Sequence, residues 1–375
     1  MKHVRFDEVV HRANTKEDRF NTDKIYYVGG EHINSEDVLI EDRGIIEGST
    51  IGPMFYFGFK KGDVLYVSRN PHLRKAGMVT FDGICSEKTF VLETNDEKIL
   101  LQKYLPFVLQ TENFWNYVEA HKSGSVNYFV NWSALAKYEF NLPDIEDQKK
   151  ISEALWAVVE TKKAYHNMIH TIDELVISKF YDMFGMLDST ELGSIAEISS
   201  GQSSPHDDEF DEEGIPFIKA GNLEELKLFK CSEMECNLVS EEIAKKKKLK
   251  LKEAGTVLVA KSGMSCLSGH IYSLKEDAYV VSHLACIKPI EGKSTTEFIK
   301  GFLVATGTKK LINDPSYPSI QLGQFEEIKI PDAPYEKQLE YSRFLKKCEH
   351  SKYELTQAIQ SLDVVYKGIL FRNFN

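Results

Sequence analysis

Apolar residues recur every three or four positions along two long stretches of the chain. In the first stretch, Gln148 to Phe184, they occupy Ile151, Leu155, Val158, Tyr165, Ile169, Ile172 and Val176. A period near 3.5 residues is typical of a helix that packs along a narrow seam against a partner helix. Because neither proline nor glycine occurs before Gly185, the pattern predicts one uninterrupted helix about 50–55 Å long.

The same pattern returns 190 residues later, where Gln338 takes the place of Gln148. The second set of apolar positions is Tyr341, Leu345, Cys348, Leu355, Ile359, Leu362 and Tyr366. Lysine interrupts both seams at equivalent points, Lys162 and Lys352. One alternative is two ordinary amphipathic helices that pack on separate domains. Duplication favours an antiparallel coiled coil within one chain. The expected seam includes Ile151, Leu155, Ile169, Leu345, Ile359 and Leu362.

Shorter patterns before each long helix predict mixed α/β structure. One helix is expected over about Leu100 to Ala120, and Pro143 places the start of the first long helix near Ile145. Alternating segments of similar sequence predict strands in both halves of the chain, at Lys24–Val28, Gly62–Val67, Phe217–Leu223 and Gly255–Ser262.

The predicted fold class is α+β, with two similar α/β domains separated by two long helices and related by pseudo-two-fold symmetry. A chain of 375 residues is too long for one ordinary core. The expected divisions are a first domain at 1–142, a first helical region at 143–187, a second domain at 188–330 and a second helical region at 331–375.

Composition narrows the class of protein. Hydrophobic residues make up 42% and charged residues 27% of the chain, as in folded soluble proteins. No apolar run approaches the length of a membrane span and the first residues lack the core of a signal peptide, so we expect a cytoplasmic protein. The net charge of −11 argues mildly against a nucleic-acid partner. The net charge is a sum over the whole chain and does not describe the charge of any single surface of the protein.

Motifs for catalysis and metal binding are missing from the sequence. The phosphate-binding, dinucleotide-binding, zinc-protease and serine-hydrolase motifs do not occur. The six cysteines form no zinc-ligand pattern and are expected to be reduced and structural. The acidic segment Asp207–Glu213 is consistent with a cation site or with a solvated loop. The lysine-rich segment Lys245–Lys252 is consistent with phosphate contacts or with an exposed connection.

The order of the elements carries a family resemblance. A segment from proline to glutamine introduces each long helix, at Pro143–Gln148 and Pro331–Gln338. With the strand-turn Tyr27–Ile33, the strand at Gly62 and the segment Ser199–Pro205, this order resembles the specificity subunit of type I restriction-modification systems. The resemblance covers essentially the whole chain. It depends on order and duplication rather than on one motif.

The resemblance implies both a function and partners. Two target-recognition domains would each read one half of a split sequence in double-stranded DNA. Two methyltransferase subunits would dock on the helices and bring S-adenosylmethionine, so this chain would itself be non-catalytic and need no cofactor. Two restriction-translocase subunits can join such a complex, and no membrane partner is implied.

Candidate DNA contacts lie in turns that follow the predicted strands. Arginine forked onto guanine is the commonest specific base contact, and no arginine occurs between Lys75 and Arg343. The second domain is therefore expected to read bases through other donors and acceptors. The candidates are Arg69, His72, Arg74, Lys75, Gln202, Ser203, Lys219, Asn222, Lys261 and Ser262. Contacts from Arg69 and Arg74 to phosphate or solvent alone are the alternative.

Two other classes of protein fit parts of this pattern. A stand-alone interaction protein, with paired domains on a coiled coil that bind another protein, agrees with the acidic charge and the missing motifs. A methyltransferase or nuclease in its own right is the third hypothesis. Its only support is Asn313–Tyr317, which resembles the Asn-Pro-Pro-Tyr motif of adenine methyltransferases superficially.

Overall fold

The structure is a computed structural model that describes residues 2–314 and 316–374. It divides into two compact units. Unit 1 comprises Met1–Lys163 with Ser361–Asn375, and unit 2 comprises Ala164–Gln360. Each unit contains one α/β domain and part of each long helix. Unit 1 is therefore assembled from two stretches of sequence that are far apart in the chain, whereas unit 2 is one continuous stretch.

The first α/β domain, residues 2–142, alternates short strands and helices. Its elements are β1 (Lys2–Arg5), α1 (Phe6–Val9), β2 (Val10–Ala13), β3 (Tyr26–Val28), β4 (Leu39–Ile40), β5 (Gly44–Ile45), β6 (Phe55–Phe59), β7 (Val64–Val67), β8 (Ala76–Val79), β9 (Gly83–Ser86), β10 (Thr89–Thr94), α2 (Leu105–Val108), α3 (Glu112–Ala120), α4 (Trp132–Leu135) and β11 (Glu139–Leu142). The long helix α5 (Ile145–Phe184) follows and begins at the residue that the position of Pro143 predicts.

The second α/β domain, residues 189–331, follows a similar order. Its elements are β12 (Ser189–Glu191), α6 (Leu192–Ile195), β13 (Ala196–Ser200), β14 (Ile215–Ile218), α7 (Asn222–Lys227), β15 (Asn237–Val239), α8 (Glu241–Lys247), β16 (Val257–Ala260), α9 (Ser265–Ser268), β17 (Ile271–Ser273), β18 (Tyr279–Val280), β19 (Leu284–Pro289), α10 (Thr296–Thr306), α11 (Leu322–Glu326) and β20 (Lys329–Pro331). The second long helix, α12 (Tyr335–Phe374), follows.

Strand order shows the duplication directly. In the described part of the first domain the larger sheet runs β2-β10-β7-β8-β4, and in the second it runs β13-β19-β16-β17. A second sheet in each domain contains one parallel pair of strands, β3 with β9 in the order β5-β3-β9-β6 and β14 with β18 in the order β15-β14-β18. A short two-stranded ladder joins the start of each domain to its end, β1 with β11 and β12 with β20. The fold class predicted from the sequence is confirmed.

The helix predicted over about Leu100 to Ala120 is wrong as a single element. The structure has α2 and α3 there, separated by a turn. The Thr111 hydroxyl accepts a hydrogen bond from the Phe114 backbone N–H at 3.2 Å and so begins α3. This N-terminal cap stabilises a new helix start, which apolar periodicity alone does not reveal. Thr295 caps α10 in the same way, through Phe298 at 3.2 Å.

Within each unit the segments of α5 and α12 run antiparallel. In unit 1, Lys162 forms an ion pair with Asp363, while Ile151 and Phe374, further out on the two helices, pack against one apolar cluster. In unit 2, Lys352 Nζ lies 2.5 Å from Asp173 Oδ1. Further along, Tyr341 packs on Phe180 with ring centroids 5.5 Å apart, and the two residues belong to one apolar cluster. The expected antiparallel arrangement is confirmed.

A buried glutamine fixes the start of α5. The Gln148 side chain is fully buried. Its carbonyl oxygen accepts a hydrogen bond from the Leu101 backbone N–H at 3.0 Å, and its amide nitrogen donates to the carbonyl oxygens of Ile99 at 2.8 Å and Pro143 at 2.9 Å. One side chain thus joins the helix to the loop before α2, because it satisfies three backbone groups that the helix and sheet leave free.

Gln338 holds α12 in the same way. Its carbonyl oxygen accepts from the Thr295 N–H at 3.1 Å, and its amide nitrogen donates to the carbonyl oxygens of Lys293 at 3.1 Å and Ala333 at 2.9 Å. The glutamine shared by the two proline-to-glutamine segments is therefore a structural link between each domain and the helix that follows it.

Candidate nucleic-acid interface

The chain leaves the end of β7 in a loop that three backbone hydrogen bonds hold in place. Ser68 N–H donates to the Lys88 carbonyl at 2.8 Å, and Val130 N–H donates to the Ser68 carbonyl at 2.9 Å. Asn70 N–H donates to the Tyr128 carbonyl at 2.9 Å. These bonds join the loop after β7 to the segments before β10 and before α4. The loop therefore has a defined conformation although it lies at the surface.

The same three bonds recur at the end of β16. Lys261 N–H donates to the His283 carbonyl at 2.9 Å, Ile320 N–H donates to the Lys261 carbonyl at 2.7 Å, and Gly263 N–H donates to the Pro318 carbonyl at 3.0 Å. Lys261 is thus equivalent to Ser68 and His283 to Lys88. It follows that Ser262 occupies the position that Arg69 has in the first domain.

The backbone turns sharply at the next residue in both loops. Asn70 has φ = 50° and Gly263 has φ = 75°, both in the left-handed region. Asparagine and glycine are the residues that adopt this region at the lowest cost. Exposed loops held on a rigid sheet are the usual location of binding residues in proteins. We refer to the segments at 68–72, 86–88 and 128–130 as the first loop cluster, and to those at 261–264, 282–283 and 317–320 as the second.

The two loop clusters present different chemistry. Arg69 and His72 are exposed in the first, together with the partly exposed Lys88, which forms an ion pair with Glu87. In the second, Ser262 Oγ and His283 Nδ1 are 2.7 Å apart. Tyr317, in the third segment of this cluster, is 82% exposed and presents an aromatic ring to solvent. Guanidinium, imidazole, hydroxyl and aromatic groups are all used to contact bases and phosphates.

Arg74 is engaged within the protein. Its guanidinium donates to Glu112 Oε2 at 2.9 Å and to Glu36 Oε1 at 3.0 Å. The hydrogen bond to Glu112 is the main cause of the raised pKa of Arg74, and the same bond lowers the pKa of Glu112. Lys75 Nζ donates to the Gly30 carbonyl at 2.6 Å. The structure therefore places both side chains in contacts that stabilise the first α/β domain.

Several candidates in the second domain are likewise engaged. The Gln202 amide nitrogen donates to the Lys248 carbonyl at 3.0 Å, and its oxygen accepts from the Lys250 N–H. Asn222 Oδ1 accepts from the Lys219 N–H at 2.8 Å. Ser203 is exposed. The structure brings Lys261 and Ser262 together in the second loop cluster, while Gln202, Lys219 and Asn222 hold the loops around α7 and α8.

The acidic segment is joined to lysines. Glu209 pairs with Lys247 at 2.7 Å and Lys246 at 3.4 Å, and the bond to Lys247 is the first cause that lowers the pKa of Glu209 to about 2. Lys219 Nζ lies 3.5 Å from Asp207 and 4.6 Å from the ring centre of Phe210. Over residues 2–314 and 316–374, no group of three or more His, Cys, Asp or Glu residues is arranged to hold a metal ion.

The predicted seam residues differ in burial. Leu155, Leu345 and Ile359 are buried. Ile151, Ile169 and Leu362 are partly exposed. The two lysines that interrupt the seam pattern form equivalent ion pairs, since Lys352 and Asp363 lie 190 residues after Lys162 and Asp173 respectively. The sequence analysis treated these lysines as interruptions and did not identify their aspartate partners.

Comparison with known proteins gives the family. Residues 6–172 and 187–362 each match the family model described as "Type I restriction modification DNA specificity domain". The two matches cover most of the chain, which therefore belongs to this family and carries two such domains. A comparison with curated proteins found no match. No helix in the described part of the chain is long and apolar enough to cross a membrane.

Two solved structures show the same fold. The chain is 16% identical to the structure titled "Crystal structure of Type-I restriction-modification system S subunit from M. genitalium", with a TM-score of 0.64 over 100% of this chain and 96% of that one. It is 18% identical to a structure from work titled "Structural basis underlying complex assembly and conformational transition of the type I R-M system", with a TM-score of 0.52 over 99% and 96%.

Sequence reasoning did not identify Lys88, His283 and Tyr317. For Lys88 and His283 the signal is a change of offset, since β10 and β19 begin 195 residues apart, at Thr89 and Leu284, whereas the long helices repeat at 190. A single offset along the whole chain therefore misaligns Lys88 and His283. Tyr317 lies in a segment that keeps the offset of 190, in which Pro318 is equivalent to Tyr128. The segment Asn313–Tyr317 includes Pro315, which lies outside the described residues.

Proposed function

We propose that this chain is the sequence-reading subunit of a type I restriction-modification complex. In this proposal each α/β domain contacts one half of a bipartite site in double-stranded DNA, and the paired helices α5 and α12 separate the two domains. The observation that carries the proposal is the repeated backbone geometry of the two loop clusters, which holds Arg69 in one domain and Ser262 in the other at equivalent positions.

Different side chains at equivalent positions support a split target. An exposed arginine suits a guanine, because its two N–H groups match the O6 and N7 acceptors of that base. The Ser262 and His283 pair offers a hydroxyl and an imidazole 2.7 Å apart and cannot make that forked contact. The two domains would therefore select different half-sites while using one scaffold.

Exposed apolar positions on the long helices support the docking of two similar partners. Leu175 and Tyr181 on α5 are both 49% exposed. Their equivalents on α12, 190 residues later, are Val365 and Phe371, at 50% and 72% exposed. Repeated exposed apolar positions are typical of protein interfaces. We infer that each pair contacts one methyltransferase subunit, which would bring S-adenosylmethionine and the catalytic groups. This chain would then be non-catalytic, and restriction-translocase subunits would join the same complex.

Methylation mapping tests DNA reading. We expect Arg69→Ala, in complex with the methyltransferase subunits, to relax selection at one guanine in one half-site by about 1–3 kcal/mol and to leave the other half-site unchanged. Arg74→Ala is the matched control, because Arg74 already pairs with Glu36 and Glu112. A uniform loss of methylation over all sequences would reduce Arg69 to a phosphate contact and contradict base reading.

The mass of the purified complex tests docking. Leu175→Glu and Val365→Glu each place a charge on one exposed apolar position, so each single variant should lose one methyltransferase subunit and the double variant should lose both. The exposure of both residues leaves the fold of the chain intact. A double variant that retains two subunits at normal affinity would exclude this surface.

A further inference from the structure

Each unit contains a cavity between its α/β domain and its segments of the long helices. The volume of the unit 1 cavity is about 570 Å³ and that of the unit 2 cavity is about 740 Å³. An equivalent lysine–aspartate pair lines each of them, Lys162 with Asp363 and Lys352 with Asp173. The two cavities can therefore be compared as an internal pair.

Charge is balanced in the unit 1 cavity. Three cationic and three acidic side chains line it, and they are Arg74, Lys162, Lys367, Glu36, Glu112 and Asp363. Arg74 pairs with both glutamates, and Lys162 pairs with the aspartate. This cavity therefore has no surplus charge that an ion would neutralise.

The unit 2 cavity has a surplus of positive charge. Five lysines and three carboxylates line it. Every carboxylate already has a lysine partner in the pairs Lys352–Asp173, Lys346–Glu297 and Lys300–Glu349. In the part of the chain that the structure describes, Lys227 and Lys275 have no carboxylate oxygen within 4.0 Å of the ammonium nitrogen. Two cations therefore remain without an ion-pair partner in this cavity.

Lys227 is the more unusual of the two. It is partly buried at the end of α7, and its pKa is lowered, first by burial and then by the charges of Lys352 and Lys300. Asp173 and Glu224 act in the opposite direction and do not cancel the effect. A desolvated cation beside two others costs free energy unless an anion compensates it. This cluster of lysines contrasts with the net charge of the whole chain, which is −11.

Aromatic rings line the same cavity. Phe229 has φ = 55°, in the left-handed region that residues other than glycine rarely adopt. Lys275 Nζ lies 4.9 Å from the centre of the Phe229 ring. Tyr272 forms part of the cavity wall, but its side chain is buried and its hydroxyl donates to Glu233 Oε1 at 2.8 Å, so Phe229 is the ring that a ligand can reach. Cations beside aromatic faces in a cavity of this size are suited to a ligand that combines an anionic group with a planar ring.

We propose that the unit 2 cavity binds a small phosphate-bearing molecule of nucleotide size. Lys227 and Lys275 contact the phosphate, and the ring of Phe229 lies against the remainder of the ligand. This binding is separate from DNA reading, because its residues lie outside the second loop cluster. It does not depend on the proposed function.

Thermal unfolding and titration calorimetry of the full chain test the site with inorganic phosphate and with ADP. Sodium chloride at matched ionic strength is the reference. We expect both probes to raise the melting temperature above that reference, with ADP the tighter binder. Lys227→Met should weaken binding about tenfold or more, because a charge-assisted contact is lost. The unliganded variant should melt no lower than the parent, since a desolvated charge has been removed.

Two further variants complete the test. Lys275→Met changes an exposed side chain that leaves the fold intact, and it should weaken ADP binding as well. Lys367→Met, in the unit 1 cavity, is the matched control and should bind both probes like the parent. The proposal is overturned if neither probe binds more tightly than chloride or if Lys227→Met binds both normally. It is also overturned if a short DNA duplex, and neither small probe, shows a dependence on Lys227.

Discussion

The first and second α/β domains share backbone hydrogen bonds and differ in the side chains that those bonds position. Asp63 and Thr256 occupy equivalent turns, immediately before β7 and β16. Each follows a glycine with positive φ, Gly62 and Gly255. The carboxylate of Asp63 accepts from the Lys60 N–H at 2.8 Å, whereas the Thr256 hydroxyl donates to the Glu253 carbonyl at 2.7 Å. Backbone hydrogen bonds therefore maintain the same fold in both domains after duplication, whereas the side chains at equivalent positions have diverged.

The largest expected effect follows the loss of either of two equivalent glutamines, Gln148 in unit 1 or Gln338 in unit 2. We expect Gln148→Ala and Gln338→Ala each to lower the free energy of unfolding by about 3–5 kcal/mol, because each leaves three buried or partly buried backbone groups without this partner and creates a cavity. Urea denaturation measures the change, with the exposed Gln360→Ala as the control. A loss below about 1 kcal/mol at either site would show that the two glutamines are not equivalent supports.

The two lysine–aspartate pairs should contribute unequally to the stability of unit 1 and unit 2. The Lys352 side chain is 12% exposed and that of Lys162 is 30% exposed. We therefore expect Lys352→Leu to destabilise by about 2 kcal/mol and Lys162→Leu by about 1 kcal/mol, since less solvent reaches the lysine in unit 2, while the two aspartates are equally exposed at 45% and 44%. Double-mutant cycles with Asp173→Leu and Asp363→Leu measure the coupling. Equal coupling energies in both cycles would contradict the expected difference.

Asp63 should make the first α/β domain sensitive to pH. Burial raises the pKa of Asp63 to about 6 from a usual value of 3.8, so the native state holds this proton more tightly than the unfolded chain does. Stability should therefore fall as pH rises from about 4 to about 6. Asp63→Asn should remove this dependence and stabilise the protein by about 1–2 kcal/mol near neutral pH. Urea denaturation across this range provides the test. Thr256→Val, which carries no titrating group, should leave the pH profile unchanged.

The smallest expected effect concerns Arg74. Its partners Glu36 and Glu112 are 58% and 65% exposed, so Arg74→Ala should cost less than about 1 kcal/mol. The clearer measurement is a carboxyl titration by NMR, in which the pKa of Glu112 should rise once its main hydrogen-bond donor is gone. An unchanged Glu112 pKa would contradict the ion pair.

The duplicated fold was predictable because it depends on periodic apolar positions. The seam pattern placed both long helices, and Pro143 placed the start of α5 at Ile145. The break between α2 and α3 was not predictable from periodicity, because it depends on a single hydroxyl cap at Thr111. Local hydrogen bonds of this kind leave only a weak trace in the sequence.

The candidate site was less accessible to sequence reasoning. Arginine distribution singled out Arg69 and Arg74 together, yet the structure exposes the first and pairs the second with two carboxylates. Glu36 and Glu112 are 38 residues from Arg74 in either direction along the chain. Long-range pairing of side chains therefore decides which cation is available to a ligand.

The division of unit 1 into two stretches has a consequence for biosynthesis. Unit 2, residues 164–360, is continuous and lies entirely before the segment 361–375 that completes unit 1. The Asn113 side chain bonds to the Phe374 carbonyl across 261 residues. Contacts that span so many residues form late. On the ribosome, the second α/β domain can therefore fold while the first still lacks a helix segment, which leaves the aromatic surface around Tyr104 uncovered until the last turns of α12 have been synthesised.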